Sequence, residues 1–312
     1  MHGGGPRALA LVCVLGAALG CQVAPAERLQ RARDAVYEKK PGLALRQYRL
    51  ALDGLERDES STAKALRAKA LRGTADVYYL ELHDVRQAVA TYKELINQCP
   101  EAPETLDARV TLADILRTYY HDVRGSIAEL DAALARNPPQ RAELRYLVAK
   151  LYFEIGDYQQ SELEAQKLVQ SSGTAPQGVD AMFLIAQSLG MREGMRKDAA
   201  KAYEALVEKF PNSELAPHAL FELGKLKAES GENDQAIAIW VEALKHHPDP
   251  KVVQSAIARV RKRITATTPS SYRKDGAFER QERARQAVRI SHKSSVEAVG
   301  GSPEEAKHDY GD

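Results

Sequence analysis

Residues 199–211, AAKAYEALVEKFP, contain the spacing that decides the fold. The small Ala199 is followed four positions later by Tyr203 and after three more by Leu206, so the three side chains share one face of a helix. Pro211 ends that helix, because proline lacks a backbone N–H and clashes with the turn before it. The segment is therefore predicted to be an amphipathic helix that packs its apolar face against other helices.

The same spacing, a small residue followed by two further packing residues, occurs six times along the chain. The leading positions are 44, 88, 126, 161, 199 and 236, which are 44, 38, 35, 38 and 37 residues apart. Prolines follow three of the other copies in the same register, at Pro100, Pro138 and Pro248. No stretch after Cys21 alternates with period two, as a half-buried strand would. The chain is therefore predicted to be all-α.

The spacing resembles the second helix of the tetratricopeptide repeat, and the resemblance covers about residues 26–250. Small residues three positions before larger ones support it in the first helices, at Ala75 and Tyr78, Ala113 and Leu116, Ala149 and Tyr152, and Ala186 and Leu189, with Leu223-Gly224 in the last unit. The resemblance implies a solenoid of about six helix-turn-helix repeats in a right-handed superhelix, with a concave groove lined by first helices. Stacked pairs bury faces that one pair leaves uncovered. We therefore expect the large second-helix residues to fill the core, namely Tyr48, Tyr92, Tyr203 and Trp240.

The predicted array runs over residues 21–250, and the composition changes after it. Residues 251–265 have apolar side chains on one helical face, which predicts a capping helix. Their basic residues 259–263 are interpreted as solvated charges, with contact to anionic lipid or to an acidic partner as the alternative. Residues 266–312 carry few large apolar groups and charges of both signs, so they are predicted to form a disordered polar tail.

The N-terminus predicts a lipoprotein signal peptide over residues 1–20. Residues 8–18 are apolar, and a helix of that length reaches only about half-way across a hydrocarbon core of about 30 Å. Ala18-Leu19-Gly20-Cys21 is similar to a bacterial lipobox. The resemblance implies palmitate on Cys21 and, with Gln22 beside it, a lipid anchor in the outer membrane that leaves the chain facing the periplasm. Signal peptidase I cleavage without lipid attachment is the alternative.

Composition and motifs do not indicate an enzyme or a nucleic-acid-binding protein. The chain has 44 Lys and Arg against 43 Asp and Glu, a formal charge of +1, so no basic excess indicates nucleic acid. It contains no glycine-rich phosphate loop, no zinc-protease helix and no nucleophile elbow. The cysteines, Cys13, Cys21 and Cys99, lack the spacing of a metal site. We therefore expect no catalytic residue, no metal and no cofactor.

Candidate partner-binding residues follow from the register of two first helices. Ala113 and Ala149 are the small residues, and positions three before, one after and four after each of them share a face. These positions are Val110, Asp114 and Arg117, then Tyr146, Lys150 and Phe153. In the repeats that this chain resembles, that face looks into the groove, so Arg117, Tyr146 and Lys150 are predicted to bind a partner. The expected ligand is an acidic peptide with apolar side chains; the alternative is a solvated pair of Asp114 with Arg117.

A short motif relates the chain to proteins of the bacterial envelope. Residues 210–214, FPNSE, followed by Leu223-Gly224, resemble units in the tetratricopeptide lipoprotein of the outer-membrane barrel-assembly machinery. They are also similar to envelope proteins of secretin, pilus, motility and cell-wall complexes. The resemblance implies a non-enzymatic scaffold anchored to the outer membrane, whose groove binds proteins of an envelope assembly machine. The alternatives are an accessory regulator of a peptidoglycan enzyme and a groove that binds a small envelope ligand.

Overall fold

The computed structural model describes residues 23–172 and 176–267, and this part of the chain is built from α-helices without a β-strand. In chain order they are α1 Pro25–Tyr37, α2 Pro41–Asp53, α3 Ser61–Asp76, α4 Val85–Gln98, α5 Pro103–Tyr119 and α6 Val123–Leu134. They continue with α7 Arg141–Glu154, α8 Tyr158–Ser172, α9 Pro176–Gly190, α10 Arg196–Lys209, α11 Ala216–Glu229, α12 Asn233–Ala243 and α13 Pro250–Thr267. A π-helical turn, Val77–Glu81, extends α3. The all-α prediction is confirmed.

Three of the sequence-based predictions concern residues outside the described part of the chain. These are the signal peptide over residues 1–20, the lipidated Cys21, and the tail from residue 268 to residue 312. Within the described segments, no helix is both long enough and apolar enough to cross a membrane.

The described part of the chain divides into two compact units, residues 23–120 and, apart from 173–175, residues 121–267. In the first unit, α1 packs against α2 and α3 packs against α4, and α1, α3 and α5 contact one another in succession. In the second unit, α7 packs against α8, α9 against α10 and α11 against α12, while α13 packs against α12. The odd-numbered helices α1 to α11 are the predicted first helices, and the even-numbered ones are the second helices. The predicted helix-turn-helix repeats are therefore present.

The short turns that follow the first helices share a residue with a left-handed backbone conformation. Each turn has one residue with a positive φ, at Lys39, His83, His121, Gly156, Gly194 and Gly231. In three of these turns an aspartate then caps the second helix, namely Asp84, Asp122 and Asp157. The Asp84 carboxylate accepts a hydrogen bond from the backbone N–H of Gln87 at 3.0 Å, and that of Asp122 from the N–H of Gly125 at 2.8 Å. These caps satisfy backbone donors that have no partner within the helix.

The large residues of the second helices are buried, as predicted. Their exposed fractions are 4% or less, at Tyr48, Tyr92, Tyr203 and Trp240. Trp240 on α12 lies directly against Gly224 on α11, where any Cβ would collide with the indole ring. The indole Nε1–H donates to the carbonyl oxygen of Phe221 at 2.9 Å. A glycine in the first helix therefore makes room for the largest side chain of the second helix.

The predicted capping helix is confirmed as α13. Its buried residues belong to one hydrophobic cluster with Trp240, namely Val253, Ala256, Ile257 and Val260. The helix begins at Pro250 and ends at Thr267, slightly beyond the segment predicted from the sequence at both ends. It therefore covers apolar surface of the last helix pair, which no following repeat would bury.

Candidate partner-binding surface

Arg117, the predicted partner-binding residue of the first unit, is paired with an acid on its own helix. Its Nη2 donates to Oδ1 of Asp114 at 3.2 Å, and both side chains are substantially exposed. This is the solvated pair that the sequence left open as an alternative. Such exposed pairs contribute at most about 1 kcal/mol to stability. A partner carboxylate would have to compete with Asp114 for the guanidinium of Arg117.

The other two predicted residues, Tyr146 and Lys150, form a contact on α7 in the second unit. Lys150 Nζ lies 5.6 Å from the centroid of the Tyr146 ring, within the range of a cation–π interaction. Burial raises the pKa of Tyr146, and the carboxylate of Asp180 raises it further, so the phenol stays a neutral hydrogen-bond donor. Lys150 is exposed and forms no ion pair within the described residues. The ammonium group is therefore available to a ligand.

The structure extends this surface to two more first helices of the same unit. Ala186 on α9 and Gly224 on α11 occupy the position in their repeats that Ala149 occupies on α7. An aromatic residue lies three positions before each of them. We call the resulting set the aromatic ladder: Tyr146, Phe183 and Phe221. Long polar side chains occupy the following position in each helix, namely Lys150, Gln187 and Lys225. Counting in the same way from Ala186 and Gly224 would have identified these residues from the sequence.

One side of each ring in the aromatic ladder packs against residues of the core. Tyr146 packs against the cluster that contains Ala181 and Leu184. The Phe183 ring meets the Tyr203 ring edge-to-face with centroids 5.7 Å apart, and Phe221 lies 6.3 Å from Trp240. All three rings remain half-buried, so each presents part of its surface to solvent. Rings fixed in this way lose little conformational entropy when a ligand binds.

The charges beside the rings differ from one end of the ladder to the other. Lys225 Nζ lies 5.9 Å from the Phe221 centroid, but it also pairs with Glu222 at 2.6 Å. Lys150, in contrast, forms no ion pair within the described residues, although the carboxylate of Asp180 lies near enough to Tyr146 to raise the pKa of that phenol. α7 contacts α9 directly, so Tyr146 and Phe183 belong to adjacent helices of this unit. The surface therefore suits a short extended segment with apolar side chains and at least one carboxylate.

The described residues contain no group of three or more His, Cys, Asp or Glu side chains arranged to hold a metal ion. The aromatic ladder consists of aromatic rings, and at two of them a lysine ammonium group lies within about 6 Å of the ring centroid.

Comparisons with known proteins identify the repeats. Residues 121–179 match a family model described as a tetratricopeptide repeat, and residues 180–213 and 218–250 match a second model of the same description. No curated protein matches the sequence.

Two solved structures with TM-scores above 0.5 show the same fold, and a third is similar at a lower score. The C-terminal part of a TPR repeat-containing protein from Cytophaga hutchinsonii is similar with a TM-score of 0.54 and 14% identity, over 74% of this chain and 87% of that chain. A chain in the structure of Naa15/Naa10 bound to HypK-THB is similar with a TM-score of 0.54 and 15% identity, over 85% of this chain and 36% of that chain. A tetratricopeptide repeat protein from Parabacteroides merdae matches with a TM-score of 0.45 and 12% identity, over 76% and 98% of the two chains. The described helices therefore have the fold of tetratricopeptide repeats, and the family models place such repeats within residues 121–250, which include the whole aromatic ladder.

Proposed function

We propose that this protein is a non-enzymatic scaffold that binds an acidic peptide segment with apolar side chains on the aromatic ladder of its second unit. The observation that carries the proposal is the repetition of an aromatic residue at one register in three consecutive first helices, with the unpaired Lys150 beside the first ring. Apolar ligand side chains gain by contact with the rings. The ammonium of Lys150 selects for a carboxylate and against a basic segment.

The proposal includes a place in the cell. We place the chain at the outer membrane, held by lipid on Cys21 and facing the periplasm, with partner proteins that belong to an envelope machine. The support is the similarity of residues 18–21 to a lipobox and the similarity of residues 210–214 to envelope scaffolds. This motif favours partners from three kinds of envelope machine: those that assemble outer-membrane proteins, those that assemble a secretin or pilus, and those that assemble a motility complex.

A defined peptide tests the binding surface. The probe is an acetylated, amidated hexapeptide in which glutamate alternates with phenylalanine or leucine, and its counterpart carries lysine in place of glutamate. We expect the acidic peptide to bind more tightly than the basic one, with affinity that falls as salt increases. Lys150→Glu should weaken binding of the acidic peptide about tenfold or more, because a charge-assisted contact is replaced by repulsion.

Lys201→Glu is the matched control, since Lys201 is an exposed lysine on α10 whose side chain is 77% accessible. It should leave peptide binding unchanged. Arg117→Glu tests separately whether the first unit contributes to the same ligand. Equal peptide affinity for the wild type and for Lys150→Glu, with both proteins folded by circular dichroism, would reject the aromatic ladder as the binding surface.

Partner identity is tested in the envelope itself. Crosslinking in intact cells, followed by purification of the wild type and of the Lys150→Glu variant, should recover an assembly-machine component with the wild type alone. Recovery of a peptidoglycan enzyme instead would favour the regulator of cell-wall synthesis over the assembly scaffold.

A further inference from the structure

A charged cleft lies in the second unit between α6, α7 and α8, separate from the aromatic ladder. It has a volume of about 550 Å³, and its charged lining consists of Asp131, Arg141, Arg145, Glu164 and Lys167. Arg141 and Arg145 are four positions apart on α7, so they share a face. That face is turned about 100° from the neighbouring Tyr146, because each helical residue advances by that angle. The cleft therefore opens on a different side of α7 from the ladder.

Glu164 organises the cations of this cleft. Arg145 Nη1 donates to its Oε2 at 2.6 Å, and Lys167 Nζ donates to its Oε1 at 2.6 Å. The side chains of Arg145 and Glu164 are only 14% and 12% exposed, so this pair is largely removed from water. Because both cations contact the same carboxylate, Glu164 fixes the position of each of them. The cleft therefore contains a preorganised pair of positive groups.

The hydrogen-bond donors of the cleft exceed the acceptors that they meet. Arg145 has five N–H donors and Lys167 has three, and the contacts to Glu164 use one of each. Arg141 donates from Nη1 to Oδ1 of Asn137 at 2.9 Å and forms no ion pair within the described residues. Three cations and two carboxylates leave one net positive charge. The cleft is therefore deficient in acceptors and in negative charge.

Asp131 is the second acid of the cleft. Burial raises the pKa of its carboxyl, and the nearby Glu164 raises it further, although Lys167 and Arg145 act in the opposite direction. The carboxyl of Asp131 is therefore a weaker acid than that of an ordinary aspartate.

We propose that this cleft is a binding site for a small carboxylate, held between Arg141, Arg145 and Lys167. A single carboxylate balances the net charge, and the planar guanidinium fork matches its two oxygens. Leu134 and Ala135 lie beside the charges and add apolar contact area. Two sources share this chemistry, a free small acid and the C-terminal end of a peptide.

Calorimetric titration of the full chain with N-acetylglycine tests the site. This probe has one carboxylate and resembles both an amino acid and a peptide end, and N-acetylglycinamide is its neutral counterpart. We expect N-acetylglycine to bind and the amide not to bind. Arg141→Gln should weaken binding about tenfold or more, whereas Arg141→Lys should recover part of the loss because it keeps the charge without the fork. Lys201→Gln, on a distant surface, should have no effect.

Four outcomes would overturn the proposal. They are no detectable binding of N-acetylglycine, equal binding of the amide, unchanged affinity in Arg141→Gln, and equal or tighter binding of inorganic phosphate. A short peptide with a free C-terminus and its amidated form then separate the two sources. Tighter binding of the free peptide than of N-acetylglycine identifies a peptide end as the ligand, and weaker binding identifies a free small acid.

Discussion

The indole N–H of Trp240 donates to the main-chain carbonyl of Phe221 at 2.9 Å, which ties the core of the last helix pair to the third ring of the aromatic ladder. Phe221 also contacts the Trp240 ring itself, with centroids 6.3 Å apart. The position of the Phe221 ring therefore depends on how Trp240 packs, and Trp240 in turn depends on the space left by Gly224. Changes in this part of the core should affect both stability and binding.

The close packing of Gly224 against Trp240 predicts a specific sensitivity. Gly224→Ala places a Cβ in steric clash with the indole nitrogen and its neighbouring carbons, so the free energy of unfolding should fall by about 1–3 kcal/mol as the helices are forced apart. Gly42→Ala is the control, because a Cβ there meets no atom within 4 Å. That variant should be neutral or gain up to about 1 kcal/mol. Urea unfolding followed by circular dichroism measures both, and equal shifts would contradict this packing.

We expect the contribution of Tyr146 to peptide affinity to come from its ring and not from its hydroxyl. Tyr146→Phe keeps the ring and the contact with Lys150, so binding of the acidic hexapeptide should change less than threefold. Tyr146→Ala removes the ring and should weaken binding by about 1–2 kcal/mol. Fluorescence anisotropy of labelled peptide gives both affinities. If the two variants lose the same affinity, the hydroxyl and not the ring makes the contact.

Two histidines beside the capping helix should make the second unit sensitive to acid. The rings of His218 and His247 meet edge-to-face with centroids 4.9 Å apart. Burial lowers the pKa of His218, and His247 lowers it further, against a smaller opposite effect of Glu222. The folded-state pKa is therefore below the unfolded value of about 6.5. This group's contribution to stability is complete above that value and is lost as the pH falls through the folded-state pKa.

The measurement is the urea midpoint at a series of pH values between about 7 and 5. His218→Gln should flatten the decline in stability on acidification, because it removes the group whose protonation is disfavoured in the fold. His246→Gln is the control, since His246 is exposed and lies next to His247 in the connection between α12 and α13. A decline that is identical in the wild type and in His218→Gln would assign the acid sensitivity to other groups.

The buried hydroxyl of Tyr92 should stabilise the first unit. It donates to Oδ1 of Asp76 at 2.6 Å, and Arg72 Nε donates to the same carboxylate at 2.8 Å. Tyr92→Phe leaves the ring in place but removes one donor from a charged acceptor, so stability should fall by about 1.5–3 kcal/mol. Thermal unfolding of the variant checks this. An unchanged melting temperature would mean that water replaces the hydroxyl at Asp76.

The proposed anchor has a direct test at Cys21. Cys21→Ala should abolish incorporation of labelled palmitate and release the chain from the membrane fraction, because the thioether that carries the lipid cannot form. Cys99→Ala is the matched control, since Cys99 is a buried cysteine of the first unit and should have no part in lipid attachment. Palmitate labelling that persists in Cys21→Ala would reject the lipoprotein assignment.

The sequence was most informative where structure depends on spacing within one helix. Ala199, Tyr203 and Leu206 are separated by one helical turn each, so their burial follows from periodicity alone. The same counting located Tyr146 and Lys150, and it reaches Phe183 when started from Ala186. The pairing of Arg145 with Glu164 could not be predicted, because it joins two helices across 19 positions and depends on how closely they pack. The sequence shows which residues are charged and which of them share a helical face. The packing of one helix against another decides which charged side chains form a pair.

The chain contains a single tryptophan, and it lies in the buried core of the last helix pair. Its intrinsic fluorescence therefore reports on that end of the second unit, whereas circular dichroism averages over every helix. Stability in stacked repeats is a sum of local terms, so the two signals need not change at the same urea concentration. Comparing them in unlabelled protein would show whether the capping helix and its neighbours unfold with the remaining repeats or before them.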